Sequence, residues 1–134
     1  MDISRIENEI ISTLQASLPE LKVEGCAESP SEYKLLHPKG AVLVRFQEAA
    51  FSAPQESAFI QQETTLIFNL NLMVKGLRDK NGAYSHINEI LTALTGYTPG
   101  ECGKMYPTKV FFLREAAGIW EYSINFAVPA VNLD

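Results

Sequence analysis

The chain has 134 residues, of which 46% are hydrophobic and 20% charged, and a formal net charge of -5. These proportions exclude a disordered polymer, and the length lets one core withdraw roughly two thirds of the unfolded surface from water. No apolar run approaches the ~20 residues that cross a bilayer, and an acidic balance without a Lys/Arg cluster argues against nucleic acid as the main partner.

One domain over residues 1–134 is the expectation from that length. Residues 1–17 lack the basic start, apolar middle and cleavage site of a secretory signal, which points to the cytoplasm. Cys26 and Cys102, the two cysteines, are too few for a disulfide framework and too scattered for a zinc site, so two free thiols are expected.

In chain order, Ile3, Ile6, Ile10, Leu14 and Leu18 recur at three- and four-residue spacing, which predicts an amphipathic helix over 3–17, ended by Pro19. A weak strand is predicted over 21–26 and a turn over 28–31. Residues 41–47, "AVLVRFQ", set Val42, Val44 and Phe46 on one face and Leu43, Arg45 and Gln47 on the other, as in a strand. The segment 48–63 shows neither period cleanly and contains Pro54; it is expected to be a long mobile loop. Its Phe51, Phe59 and Ile60 are unusual for a solvated tip. They either fold back on the core or order against a partner.

Two segments alternate clearly. In 65–74, Leu66, Phe68, Leu70, Leu72 and Val74 interleave with Asn69, Asn71 and their neighbours; in 119–128, Trp120, Tyr122, Ile124, Phe126 and Val128 interleave with Ser123, Asn125 and theirs. One oily and one polar face per strand suits a sheet with helices on a single side. Val110–Arg114 supplies a partner for the last strand, joined by a hairpin loop over 115–118. Between them, Ala83, Ile87, Leu91 and Leu94 form a helical stripe bordered by Ile90, with Gly96 and Pro99 past its end and His86, Asn88 and Glu89 expected in solvent. The fold class is therefore α+β: a mixed, mainly antiparallel sheet of four to five strands with two helices packed on one face. Trp120, Phe126, Phe68 and Leu70 are expected to dominate stability.

Chemistry is sparse. His86 and Glu89 have helical i, i+3 spacing, but a metal needs three or four converging ligands and the other histidine, His37, precedes Pro38 in a turn. There is no nucleophile elbow and no phosphate loop. Cys102 near Lys104 reads as an ordinary reduced cysteine. No catalytic residue, metal or cofactor is expected. The uncharged polar face of Asn69, Asn71, Ser123 and Asn125 is either simply solvated or paired with other subunits.

"NGAYSHINEILTALTGYTPG" (81–100) followed by "GIWEYSINFAVP" (118–129) resembles the phage tail protein family of Mu-like prophages. The resemblance extends over about residues 40–129 and rests on Gly82, Ala83, Tyr84, Gly96, Pro99, Gly118, Trp120, Tyr122 and Phe126, all turn or core positions. It implies a tail terminator with the lambda-type terminator fold: a small α/β protein forming a hexameric ring on a completed tail tube, or its counterpart in a contractile injection system. The implied partners are other copies of the chain, the tube protein, and the sheath or head-tail connector. Neither sequence-specific nucleic acid nor a membrane is implied, and the place of action is the bacterial cytoplasm and then the tail particle. The family offers no catalytic residues. Asn69, Asn71, Ser123, Asn125, Phe51 and Phe59 are the candidate interface positions. Two other readings stand beside this one: a ligand-binding or enzymatic pocket near Tyr84, His86 and Glu89, and a tail assembly chaperone.

Overall fold

The computed structural model describes residues 2–28, 39–54 and 62–130. Helix α1 spans Ile3–Ser17, strand β1 Lys22–Gly25, β2 Gly40–Phe51, β3 Thr64–Lys75, helix α2 Ala83–Leu94, β4 Tyr106–Ala116 and β5 Ile119–Ala130. Asp2 caps α1 by accepting from the Arg5 amide at 3.2 Å, and the apolar spacing seen in the sequence buries Ile6, Ile10 and Leu14.

The strands form one mixed sheet in the order β1-β2-β3-β5-β4. β1 runs parallel to β2, and the other three pairings are antiparallel. The last strand is thus inserted between β3 and β4, and α2 is the crossover that carries the chain over that gap. Rows of directly opposed residues cross the sheet: Val42, Leu72, Tyr122 and Phe112 in one, Val44, Leu70, Ile124 and Val110 in the next. α1 packs on β1 and β2, and α2 on β3 and β5. Between helices and sheet lies a core centred on Phe68, Phe126, Leu70 and Ile90, all with no exposed surface; each such side chain contributes ~1.5 to 3 kcal/mol.

Several expectations need correction. Trp120 is only half-buried against the core, because it sits on the β5 edge of the helix layer. β2 continues to Phe51, so Glu48–Phe51 belong to a hairpin arm paired with Thr64–Ile67 rather than to a loop; Gln47 forms a bulge that lets the strand turn without leaving the ladder. Phe59, Ile60 and His37 lie outside the described residues. The β4–β5 hairpin is tighter than expected, turning on Ala117 and Gly118, both at positive φ, which is the two-residue geometry that matches strand twist. The second sheet face is not wholly polar either: Ala41, Leu43 and Met73 form a small buried cluster on it.

The helical stripe of α2 is rotated from the expected one. His86 and Ile90 are buried with Ala83 and Leu94, and Ile87 and Leu91 are the half-buried flanks. The cause is at the helix start, where the Ala83 amide donates to the Gly76 carbonyl (3.2 Å) and Tyr84 to that of Leu77 (3.0 Å). These bonds fix the helix phase from outside. His86 is therefore drawn into the core, contrary to a solvated setting, and only Asn88 and Glu89 are exposed.

Candidate assembly interface

The polar face forms where β3 and β5 align Asn69 with Asn125 and Asn71 with Ser123. Asn69 Nδ2 donates to Ser123 Oγ at 2.6 Å and to Asn125 Oδ1 at 2.8 Å. Asn69 and Ser123 are consequently buried at 4% exposure and spend their hydrogen bonds within the chain. Asn71 and Asn125 stay half-exposed, and the enclosed Asn71 Oδ1 accepts from no described residue. Of the apolar candidates, Phe51 is 55% exposed on the hairpin arm.

A second surface was not singled out by sequence reasoning. β4 is an outer strand, and neither helix packs on it appreciably. Along the two core rows, Val42, Leu72, Val44, Leu70 and Ile124 are fully buried, yet the β4 members emerge: Val110 at 38% exposure and Phe112 at 51%. Phe112 packs its ring 5.9 Å from Trp120 and 5.6 Å from Tyr122. Tyr84, exposed on the first turn of α2, lies beside Tyr122 and carries the Arg78 guanidinium 5.8 Å from its ring centroid. The result is an aromatic ledge topped by an arginine, the composition of binding hot spots. The signal in the sequence was "VFFL" at 110–113, apolar on both faces of a strand; that is anomalous for an edge.

Gly82, Ala83 and Tyr84 acquire distinct roles at this ledge. A Cβ on Gly82 would come within 2.8 Å of the Leu77 carbonyl, so glycine permits the tight entry to α2; Ala83 is buried beneath it and Tyr84 turns outward. Gly96 lies just past the helix and its amide bonds to Met105 at 2.8 Å. Pro99 is buried in the following turn. Burial, followed by the neighbouring Tyr84, raises the Tyr122 phenol above its ordinary value of 10.0, while Arg78 pulls it back. In an NMR titration of labelled tyrosines, Tyr122 is expected to ionise above that value, and Tyr84→Phe to lower it without restoring it fully, since burial is the larger cause. Titration of Tyr122 at the ordinary value would contradict this environment.

The pocket reading fails on geometry. Tyr84 and His86, two positions apart on α2, point to opposite sides, one outward and one into the core. His86 Nδ1 lies 3.2 Å from Glu89 Oε1, close enough for an ion pair but without hydrogen-bond geometry. The depression beside Glu89 is open and lined by Ser17, Ser85, Asn88 and Thr92, with neither His86 nor Tyr84. Among the described residues no group of His, Cys, Asp and Glu is arranged to hold a metal, and no helix is long and apolar enough to cross a membrane. Cys26 and Cys102 are free. Burial, then the Glu9 carboxylate, pushes the Cys102 thiol up, away from thiolate reactivity.

The fold is thus an α+β two-layer sandwich with an exposed aromatic ledge on one face and, on the other, a polar row in which Asn69 is bonded to Ser123 and Asn125 within the chain. The sequence profile of the Gp37 protein family matches residues 10–134, and the chain belongs to that family. Among solved structures, a chain of the "Virion of native gene transfer agent (GTA) particle" shares the fold at a TM-score of 0.65 and 12% identity, with 96% of this chain and 93% of that one covered. No curated protein matches.

Proposed function

We propose that the chain is a structural assembly protein of a phage tail or phage-tail-like particle, which closes the end of a tail tube as a hexameric ring and stops its elongation. The observation that carries this reading is the near end-to-end likeness in fold to a component of a virion, joined to membership of the Gp37 family. The tail-terminator resemblance of Gly82, Tyr84, Trp120 and Tyr122 supplies the finer role. Capping needs a surface and no chemistry, and the ledge, Phe51 and the half-exposed Asn71 and Asn125 are surfaces for other copies or for tube protein. As a ring component it needs no catalyst or cofactor, and its place is the host cytoplasm followed by the particle.

The test is electron microscopy of tubes assembled with and without the protein. Uniform lengths and a six-fold density at one tube end are the expected result. Tubes that elongate unchecked, with the protein remaining monomeric beside them, would overturn it. Mass spectrometry of purified particles separates a cap from an assembly chaperone, since a chaperone leaves the finished particle.

A further inference from the structure

Among the described residues, the large apolar side chains exposed on the helix side of the sheet gather at two corners. One corner is the ledge. Val110 and Phe112 on β4 emerge there beside the half-buried Trp120 and Tyr122 of β5, because α1 covers β1 and β2, α2 covers β3 and β5, and neither helix extends over the outer strand. The other is Phe51, at the far end of β2. It pairs with Thr64, two residues beyond the Ala49–Leu66 pair that packs into the core, and so lies on the same side of the sheet, yet it is 55% exposed. Exposed apolar surface of this kind is what a neighbouring element buries.

The two corners cannot meet within one copy. Thr64 and Leu72, the β3 residues level with Phe51 and Phe112, are eight residues or about 26 Å apart along the strand, and β2 and β4 are separated by three strand spacings, about 14 Å. The arm is also braced. Beyond the ladder the Ser52 amide donates to the Glu63 carbonyl at 2.8 Å, the Glu63 amide to Ser52 Oγ at 2.7 Å, and Gln62 Nε2 to the Ser52 carbonyl at 2.9 Å. Residues 55–61 have to leave and return within seven positions, which limits their reach to about 12 Å. Neither Phe51 nor the chain beyond it can fill the ledge of its own copy.

Chemistry selects what can. Glu115, on the ledge side of β4, and Arg78, beside Tyr84, are opposite in sign, so the ledge has no net charge with which to draw a charged element. It offers aromatic rings and a valine, and Phe51 followed by the uncharged Ser52, Ala53 and Pro54 matches that surface. The contact is made by side chains, since Pro107 and the register breaks at Thr108 and Leu113 blunt β4 against strand addition. A ring of identical copies requires each to present two unlike patches that fit one another. The ledge and the arm tip are such a pair.

We infer that Phe51, at the tip of the β2–β3 arm, seats on the ledge of Val110, Phe112, Trp120 and Tyr122 of a second copy of this chain. The inference rests on the ring reading above and names the two surfaces that close the ring.

Crosslinking tests it. With Cys26→Ser and Cys102→Ser removing the native thiols, a chain carrying Ala53→Cys and Leu113→Cys, both exposed, should give a ladder of linked copies with a short bismaleimide. Ala53→Cys with Ser12→Cys, exposed on α1, should stay unlinked. Phe51→Ser and Phe112→Ser should each weaken association by on the order of tenfold or more in native mass spectrometry, with melting temperatures nearly unchanged, because both rings are more than half exposed. Mixed in equal amounts, these two variants retain one sound contact between them and should pair without growing further.

Rings that persist in either serine variant, or that form without the ladder, would overturn the inference while leaving the capping reading intact. Phe51→Ser rings that stay closed but no longer attach to tubes would assign the arm to a tube subunit instead. An unaltered chain that never associates, alone or on tubes, would remove the ring and this contact together. Conversely, a ladder formed on tubes that still elongate would leave the contact standing and remove the capping role.

Discussion

Phe126→Ala is expected to lower folding stability by about 3–5 kcal/mol, read as a shift in the denaturant midpoint at constant slope. Phe126 has no exposed surface and sits opposite Phe68 on β3, which in turn meets Phe46 edge to face at 5.7 Å. Truncation leaves a cavity that the sheet backbone cannot collapse, because Phe126 is in a central strand hydrogen-bonded on both sides. Against a total of ~5–15 kcal/mol for a domain of this size, such a loss leaves a marginal fold. Phe112→Ala, the same chemical change on the same sheet face, should cost well under half as much, since that ring is 51% exposed. If the two costs were equal, β4 would be covered by the chain's own helices and the ledge would not exist.

The contrast between these two phenylalanines also marks where the sequence was legible. Alternation in β3 and β5 and the i, i+3, i+4 spacing of α1 are local signals, and the observed strands and the Ile3–Ser17 helix follow them closely. Nothing local says that β5 lies between β3 and β4. That order decides which strand ends up outside the helix layer, and hence why Trp120 is half-buried and Phe112 exposed. His86 was misplaced for a related reason: the phase of α2 is set by carbonyls of Gly76 and Leu77 in the preceding loop, which periodicity cannot register. Asn69 looked like a group offered to neighbours, because its partners Ser123 and Asn125 are 54 and 56 residues away in the chain. Residue types revealed a polar face; only the register shows that half of it is already satisfied.

Gly40→Ala should cost about 3 kcal/mol or more, from two sources that a second glycine separates. Gly40 opens β2 at φ 130, and a Cβ there would lie 2.5 Å from the Met73 carbonyl oxygen and 2.6 Å from Val74 Cγ1. Met73 and Val74 are held between β2 and β5 on both sides, so relief requires the β2–β3 ladder itself to shift. Gly96 also has positive φ, at 86, but a Cβ would meet nothing within 4 Å; Gly96→Ala should therefore show the backbone cost alone, roughly 1–2 kcal/mol. Thermal and denaturant melts of the two variants measure the difference, and equal losses would mean that the clash at Gly40 is relieved without cost. Assembly supplies the complementary readout. Below its melting point a Gly40→Ala chain keeps its exposed ledge, so under the assembly reading proposed above the folded fraction should still associate, whereas Phe112→Ser should fold fully and associate poorly. Opposite patterns in two variants distinguish the residues that build the sheet from those that use its edge.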